Sequence, residues 1–172
     1  MDFLYQVTFK KQIDFLKNHI KIQGISMYIS KDHYKQLNKA LCDGSTLTDN
    51  QKLIVDSMSS IFSSIPTLYH PIILYRAINA ENLNEHRLEC QYISTSLDQH
   101  EPIAKYIGST CCLLKIFIPQ GSRIIPVAFL DGAVQHEYEV ILPINGKYTL
   151  NHEILEYIES KLLRVYYISY SR

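Results

Sequence analysis

Three polar intrusions into otherwise apolar stretches hold the residues whose types and spacing could do chemistry. In IILYRAI, strand alternation sets Leu74, Arg76 and Ile78 on one face. An arginine between apolar neighbours needs an anion or a carboxylate, because an unpaired buried charge is costly. An internal ion pair, or a guanidinium snorkelling to water, would meet that need without any ligand. In YISTSL, Ser94 and Ser96 share a face and Thr95 points the other way. Hydroxyls at a strand end bond either a ligand or the backbone of the helix cap that follows. In QHEYEVILP, strand alternation puts Glu137 and Glu139 on one face, roughly 6–7 Å apart along the chain. Carboxylates that close raise the pKa of one of them unless a cation or ligand is present. Two solvated glutamates on an exposed face would explain the pair equally, but the Val-Ile-Leu-Pro run directly after it reads as a strand entering a core.

Elements around these intrusions must hold them in place. Phe9, Ile13, Leu16 and Ile20 fall on one helical stripe, with residues 3–7 open to either helix or strand. Tyr34, Leu37 and Leu41 form a second stripe, stopped by Gly44. Thr48 with Gln51 is a capping-box pattern ahead of a third stripe, Ile54, Met58, Ile61 and Ile65, which Pro66 ends. Then the texture changes. Residues 72–78, 91–97, 111–119, 123–127, 137–142 and 164–170 are short, rich in β-branched and aromatic side chains, and separated by turn signals such as Pro119-Gln120-Gly121 and Asn145-Gly146. A helix with Ile103, Tyr106 and Ile107 on one face follows the cap-like Asp98 and Glu101. Residues 151–163 fit helix or strand. Helices first and strands later predict an α+β fold.

Composition narrows the function classes. The 172 residues carry 17 basic and 17 acidic side chains and are 47% hydrophobic, an ordinary globular balance. Zero net charge argues against a chain whose main task is gripping nucleic acid or an anionic membrane. No secretory leader or membrane-spanning run is read, so the expected location is intracellular. Cys42, Cys90, Cys111 and Cys112 make no CxxC and no zinc-type cluster, so four reduced thiols and no metal are expected. His136 beside Glu137 reads as an exposed loop histidine.

Taken in order, the arginine in a strand, the Ser-Thr-Ser and the Glu-x-Glu resemble the mono-ADP-ribosyltransferases of that motif class, which include bacterial actin-modifying toxins and arginine-specific ecto-enzymes. LYR, STS followed by a helix with Ala104, LLKIFIPQG and EYEVILP carry the likeness, and Tyr34, Leu37, Asn38 and Leu41 extend it upstream. The resemblance implies a single domain over residues 1–172, with a mostly helical lobe at 1–70 and a mostly β NAD-binding core at 71–172. Its fold would be N-terminal helices packed on a two-sheet β-sandwich. It implies cleavage of the nicotinamide–ribose bond of NAD and transfer of ADP-ribose to a protein acceptor. Glu139 would be the catalytic carboxylate. Glu137 would orient or deprotonate the acceptor, which the family pattern makes an arginine. Arg76 would hold the pyrophosphate, and Ser94 would tie Glu139 to the nicotinamide ribose. Thr95, Ser96 and Tyr106 complete the expected NAD contacts, although a core place suits Tyr106 equally. Phe129, in the loop 128–136 with Gly132 as pivot, is the expected target contact.

Two departures stand out. The neighbourhood after the Ser-Thr-Ser helix, Gly108-Ser109-Thr110, lacks the further arginine that relatives often carry, which implies either weaker phosphate binding or a part for Lys105 or Arg123. Ala77 follows Arg76 where some toxins have a second basic residue. A monomer is expected, with delivery into a host cell by a separate route as one option. An NAD glycohydrolase with water as acceptor, and a catalytically silent NAD-binding or protein-interaction module, are the competing functions.

Overall fold

The computed structural model of the chain describes residues 3–19, 22–30, 33–79, 88–105, 111–130, 138–158 and 160–172, with backbone alone at 22 and 23. The expected N-terminal helix is two helices, α1 (Phe3–Thr8) and α2 (Lys10–Lys17), joined at Phe9. The stripe survives the joint, since Phe9, Ile13 and Leu16 are all buried. Helix α3 (Ile22–Ile29) was not anticipated. It lies so close to helix α5 (Asp49–Ser64) that a Cβ on Gly24 would overlap the Ser57 side chain. Helix α4 (His33–Asp43) stops at Gly44, whose φ of 65° suits glycine. Helix α5 starts with the full capping box: Gln51 N–H donates to Thr48 Oγ1 at 3.3 Å, and Thr48 N–H donates to Gln51 Oε1 at 2.9 Å. No helix among the described residues is long and apolar enough to cross a membrane.

Among the described residues seven strands follow: β1 (Ile72–Asn79), β2 (Ile93–Ser96), β3 (Cys111–Ile118), β4 (Ile125–Pro126), β5 (Glu139–Leu142), β6 (Lys147–Ile158) and β7 (Lys161–Ser171). Helix α6 (His100–Ala104) sits between β2 and β3. The strands hydrogen-bond into one sheet, in the order β4-β5-β2-β1-β3-β7-β6, where two sheets were expected. The join explains the difference. β1 pairs with β3 along its whole length but with β2 only at Tyr75 and Ser96, so the ladder is continuous yet thin at its middle. Within the stretch left open between helix and strand, residues 151–158 belong to β6 and 161–163 begin β7, because a long antiparallel ladder between the two fixes both. β5 begins at Glu139, two residues later than expected.

One face of the sheet presents Leu74, Ile78, Ile93, Leu114, Val140 and Leu142, covered by Tyr5, Phe9 and Ile13. On the other face, Ile125 and Ile141 lie under Ile25, Tyr28, Ile54 and Ile61, while Leu113 and Val165 lie with Ile103 of α6. Each such side chain, once fully buried, contributes about 1.5–3 kcal/mol. Of the four thiols expected to be reduced, Cys111 and Cys112 are free and buried. Cys42 and Cys90 instead form a disulfide across 48 residues, joining the end of α4 to the 3-10 turn Leu88–Cys90. Sequence spacing gave no hint of this bridge, because tertiary packing alone brings the two residues together.

Candidate active site

β1, β2 and β5 meet at one end of the sheet. Directly paired residues on neighbouring strands face the same way. The register therefore lines up Glu139, Ser96 and Tyr75 across three strands, with Ser94 and Ile141 one step along on the same face. By the same rule Arg76 belongs to the opposite face, beside Leu74 and Ile78. Register alone would thus part Arg76 from Ser94 and Glu139. The separation of β1 from β2 beyond Tyr75 reunites them. Arg76 Nη1 donates to the Ser94 carbonyl at 3.1 Å, a side-chain bond between the two strands beyond the end of their ladder. Carbonyls of a strand lie close to the sheet plane, so the guanidinium reaches the seam rather than staying on one face.

Tyr28 of α3 gathers the site from the helical side. Its phenol is buried, donates to the Tyr92 carbonyl at 3.2 Å and accepts from Asn38 Nδ2 at 3.3 Å. Asn38 also clamps the start of β2, donating to the Tyr92 carbonyl at 2.9 Å and accepting from the Tyr92 N–H at 3.1 Å. Burial pushes the Tyr28 phenol up, with the Asn38 hydrogen bond and the Arg76 charge opposing. The Glu139 carboxylate adds to the rise, and a hydrogen bond with the Ser94 side chain reduces it. One phenol thus senses Arg76, Ser94 and Glu139 together. Tyr28 was not singled out from the sequence, although Ile25, Tyr28 and Ile29 make the short helical stripe that would have found it. On the far side, Tyr148 of β6 is also held up by burial and by Tyr170, and is lowered by the Arg76 charge.

Tyr5 braces the approach to Glu139. Its fully buried phenol donates to the Glu139 carbonyl at 2.7 Å and accepts from the Ala128 N–H at 3.2 Å. It therefore ties the two ends of the segment 129–138 to α1. The Val127 N–H also bonds the Glu139 carbonyl, at 3.0 Å. Burial pushes the Tyr5 phenol above its ordinary range, the Ala128 N–H pulls it back, and the Glu139 charge raises it. Tyr138 has φ 47°, the left-handed region that a tyrosine seldom occupies. Glu137 itself lies outside the described residues, as do Tyr106, Gly132 and His136.

The other expected residues fall as follows. Thr95 and Ser96 are each 5% exposed. Thr95 Oγ1 donates to the Val140 carbonyl at 2.7 Å, and Ser96 Oγ accepts from the Asp98 N–H at 3.0 Å, so both hydroxyls brace the strand end. Phe129 is half-buried against the clusters on both faces, with Lys17 Nζ 6.0 Å from its ring centre. Lys105 and Arg123 are exposed. Among the described residues, no group of three or more His, Cys, Asp or Glu could hold a metal ion.

No family model matches the chain, and no curated protein matches its sequence. Solved structures do match. The ADP-ribosylating toxin BECa of Clostridium perfringens, solved with NADH, is 18% identical with a TM-score of 0.73 over 96% of this chain. Exoenzyme S of Pseudomonas aeruginosa, solved with human 14-3-3 protein beta and carba-NAD, is 17% identical with a TM-score of 0.70 over 96%. Plx2A, an ADP-ribosyltransferase toxin of Paenibacillus larvae, is 13% identical with a TM-score of 0.75 over 98%. This chain spans 47% of the BECa chain, 80% of the exoenzyme S chain and 96% of Plx2A. The chain thus has the fold of the ADP-ribosylating toxins.

Proposed function

We propose that the chain is an NAD-dependent mono-ADP-ribosyltransferase of the Arg / Ser-Thr-Ser / Glu-x-Glu class, with an arginine of a protein target as acceptor. The observation that carries this is that the strand register sets Ser94 and Glu139 on one face while Arg76 Nη1 donates to the Ser94 carbonyl at 3.1 Å, in a toxin-type fold. The residues suit NAD. A half-buried guanidinium at the seam offers the charge that a pyrophosphate needs, and the half-buried Glu139 shares a sheet face with Ser94, whose carbonyl holds that guanidinium. NAD supplies a nicotinamide–ribose bond whose cleavage passes through an oxocarbenium-like transition state.

The protein's part is positional and electrostatic. Glu139, held at its carbonyl by Tyr5 and Val127, presents a fixed carboxylate to positive charge developing at the ribose. Ser94 joins that carboxylate to the sugar through its hydroxyl. Arg76, anchored on the Ser94 carbonyl, keeps the phosphates in register with it. Glu137 takes the guanidinium of the acceptor, whose planar donors match two carboxylate oxygens. Phe129 is the proposed target contact. The working unit is one domain over residues 1–172, acting as a monomer. Disulfides persist in oxidising surroundings, so the Cys42–Cys90 bridge suits a chain that passes outside a reducing cytosol before it acts.

The test compares wild type with Glu139→Ala and Glu137→Ala in the presence of NAD. Free nicotinamide and labelled ADP-ribose on lysate proteins are followed separately. Wild type is expected to give both, Glu139→Ala neither, and Glu137→Ala nicotinamide without label. Nicotinamide without label from wild type would assign a glycohydrolase. No nicotinamide at all, with no NAD-induced rise in melting temperature, would sink the enzyme reading.

A further inference from the structure

Helix α4 holds the chain just before β2 at two points. Asn38 and Cys42 are four residues apart in α4, so they share one face, about 6 Å apart along the axis. Their partners, Tyr92 and Cys90, are two residues apart, a span of at most about 7 Å. The spacings match, and both contacts form. Cys42 is bonded covalently to Cys90. Asn38 Nδ2 donates to the Tyr92 carbonyl at 2.9 Å, and Asn38 Oδ1 accepts from the Tyr92 N–H at 3.1 Å. A side-chain amide has both a donor and an acceptor, so it pairs here with one residue's backbone as a neighbouring strand would.

Ser94 follows two residues after Tyr92, in a strand only four residues long. β1 joins that strand at a single pair, Tyr75 with Ser96, so no ladder fixes the gap across which Arg76 reaches the Ser94 carbonyl. The β5 ladder runs along all of β2, which makes Ser94 and Glu139 one unit. A shift at Tyr92 would therefore move both relative to Arg76. One of the two holds can be switched chemically. Cys42 and Cys90 are both half-exposed, whereas the free thiols of Cys111 and Cys112 are buried.

We infer that Asn38 and the Cys42–Cys90 bridge form a two-part positioning device for Ser94, and that its covalent part makes the reaction rate respond to the redox state of the surroundings. The inference rests on the proposed transferase reading for what Ser94 does, and adds to it a regulation of that site. The switching step is a thiol–disulfide exchange. A dithiol gives up two electrons and two protons and becomes a disulfide, while the Cys42–Cys90 bond breaks and each sulfur becomes a thiol.

Wild type and Asn38→Ala are each assayed for nicotinamide release, oxidised and after dithiothreitol, well below the melting temperature of the weakest form. Each hold backs the other, so losing one should lower kcat by about twofold or less, and independent effects would multiply to only about fourfold. Losing both should lower kcat at least about tenfold, since a displacement of about 1 Å at a reacting group can cost up to ~100-fold. Re-oxidation should restore the rate of Asn38→Ala, and Cys42→Ala should not respond to reductant. A merely structural role would lower Tm and leave these rates alone. If reduced Asn38→Ala loses its fold, Asn38→Asp, whose carboxylate still accepts the Tyr92 N–H, takes its place. A folded, reduced variant with kcat within about fourfold of wild type would overturn the device and leave the transferase intact. Absence of nicotinamide release from oxidised wild type would overturn the transferase reading. Hydrogen exchange at residues 93–96 then decides the hold alone: amides at least about tenfold faster with both parts lost support it, and unchanged exchange ends it.

Discussion

Replacing Tyr5 with phenylalanine would remove one oxygen and test whether α1 holds β5, the strand of the proposed catalytic Glu139, in place. The ring would stay, with its contacts to Phe9 at 4.9 Å and Tyr138 at 6.0 Å between centres, so the hole left is no larger than a hydroxyl. Two bonds would go. The Ala128 N–H is fully buried and would be left without its acceptor, which costs about 1–3 kcal/mol. The Glu139 carbonyl would keep the Val127 N–H at 3.0 Å, so its loss adds at most about 1 kcal/mol. The expected destabilisation is about 2–3 kcal/mol. In a chain of this size it lowers Tm by roughly 4–12 °C. The catalytic effect should be separable from this. A misplacement of about 1 Å at a reacting group can cost up to ~100-fold in rate, and Tyr5 fixes both ends of the segment leading to Glu139. Nicotinamide release by Tyr5→Phe, measured well below its melting temperature, should fall about tenfold with little change in KM for NAD. A lower Tm with an unchanged rate would make Tyr5 purely structural. No change in either would mean that the two bonds are not made in solution.

Two further outcomes follow from burial and from the disulfide. Burial raises the phenols of Tyr5, Tyr28 and Tyr148 and pushes that of Tyr92 up to about 12 from 10.0. A raised acid keeps its proton when folded and loses it when unfolded. Its contribution is therefore intact below about pH 10 and is lost as pH climbs from there through the folded value. Each such tyrosine removes about 1.4 kcal/mol per pH unit, so denaturant melts should show steep destabilisation between pH 10 and 12, with phenol ionisation coincident with unfolding. Ionisation spread over separate steps in a still-folded chain would contradict the burial. Reducing Cys42–Cys90, which closes a span of 48 residues, should cost about 4 kcal/mol and lower Tm by roughly 8–16 °C. An unshifted Tm in dithiothreitol would show that α4 and the turn before β2 hold together without the bridge.

Much of the helical half could be read directly from local spacing. Gly44 and the Thr48–Gln51 box bound their helices because φ preference and cap geometry involve only a few neighbouring residues. The turns at Gly121, with φ 86°, and Asn145, with φ 63°, were legible for the same reason. The order of Arg76, Ser94 and Glu139 was legible too, and the fold sets these three on the neighbouring strands β1, β2 and β5. Strand β6 was not legible. Its Leu150, Ile154 and Ile158 fit a helical stripe as well, and only the ladder to β7 decides the matter. Helix α3 escaped because Gly24 lowers helix propensity, and what makes the glycine suitable is Ser57, more than thirty positions away.

By itself the sequence determined which side chains are available: a lone arginine in an apolar strand, hydroxyls at a strand end, glutamates at the head of a core strand, and helices whose caps lie within a few residues. Those choices depend on backbone preferences and alternation, which are local. Tertiary structure alone decided that Arg76 crosses the sheet seam to Ser94, that Tyr28 and Tyr5 brace the site from two different helices, and that Cys42 meets Cys90. Each is a contact between distant parts of the chain. Its partner is set by how β1 parts from β2 and how the helices pack, and no local pattern encodes that geometry.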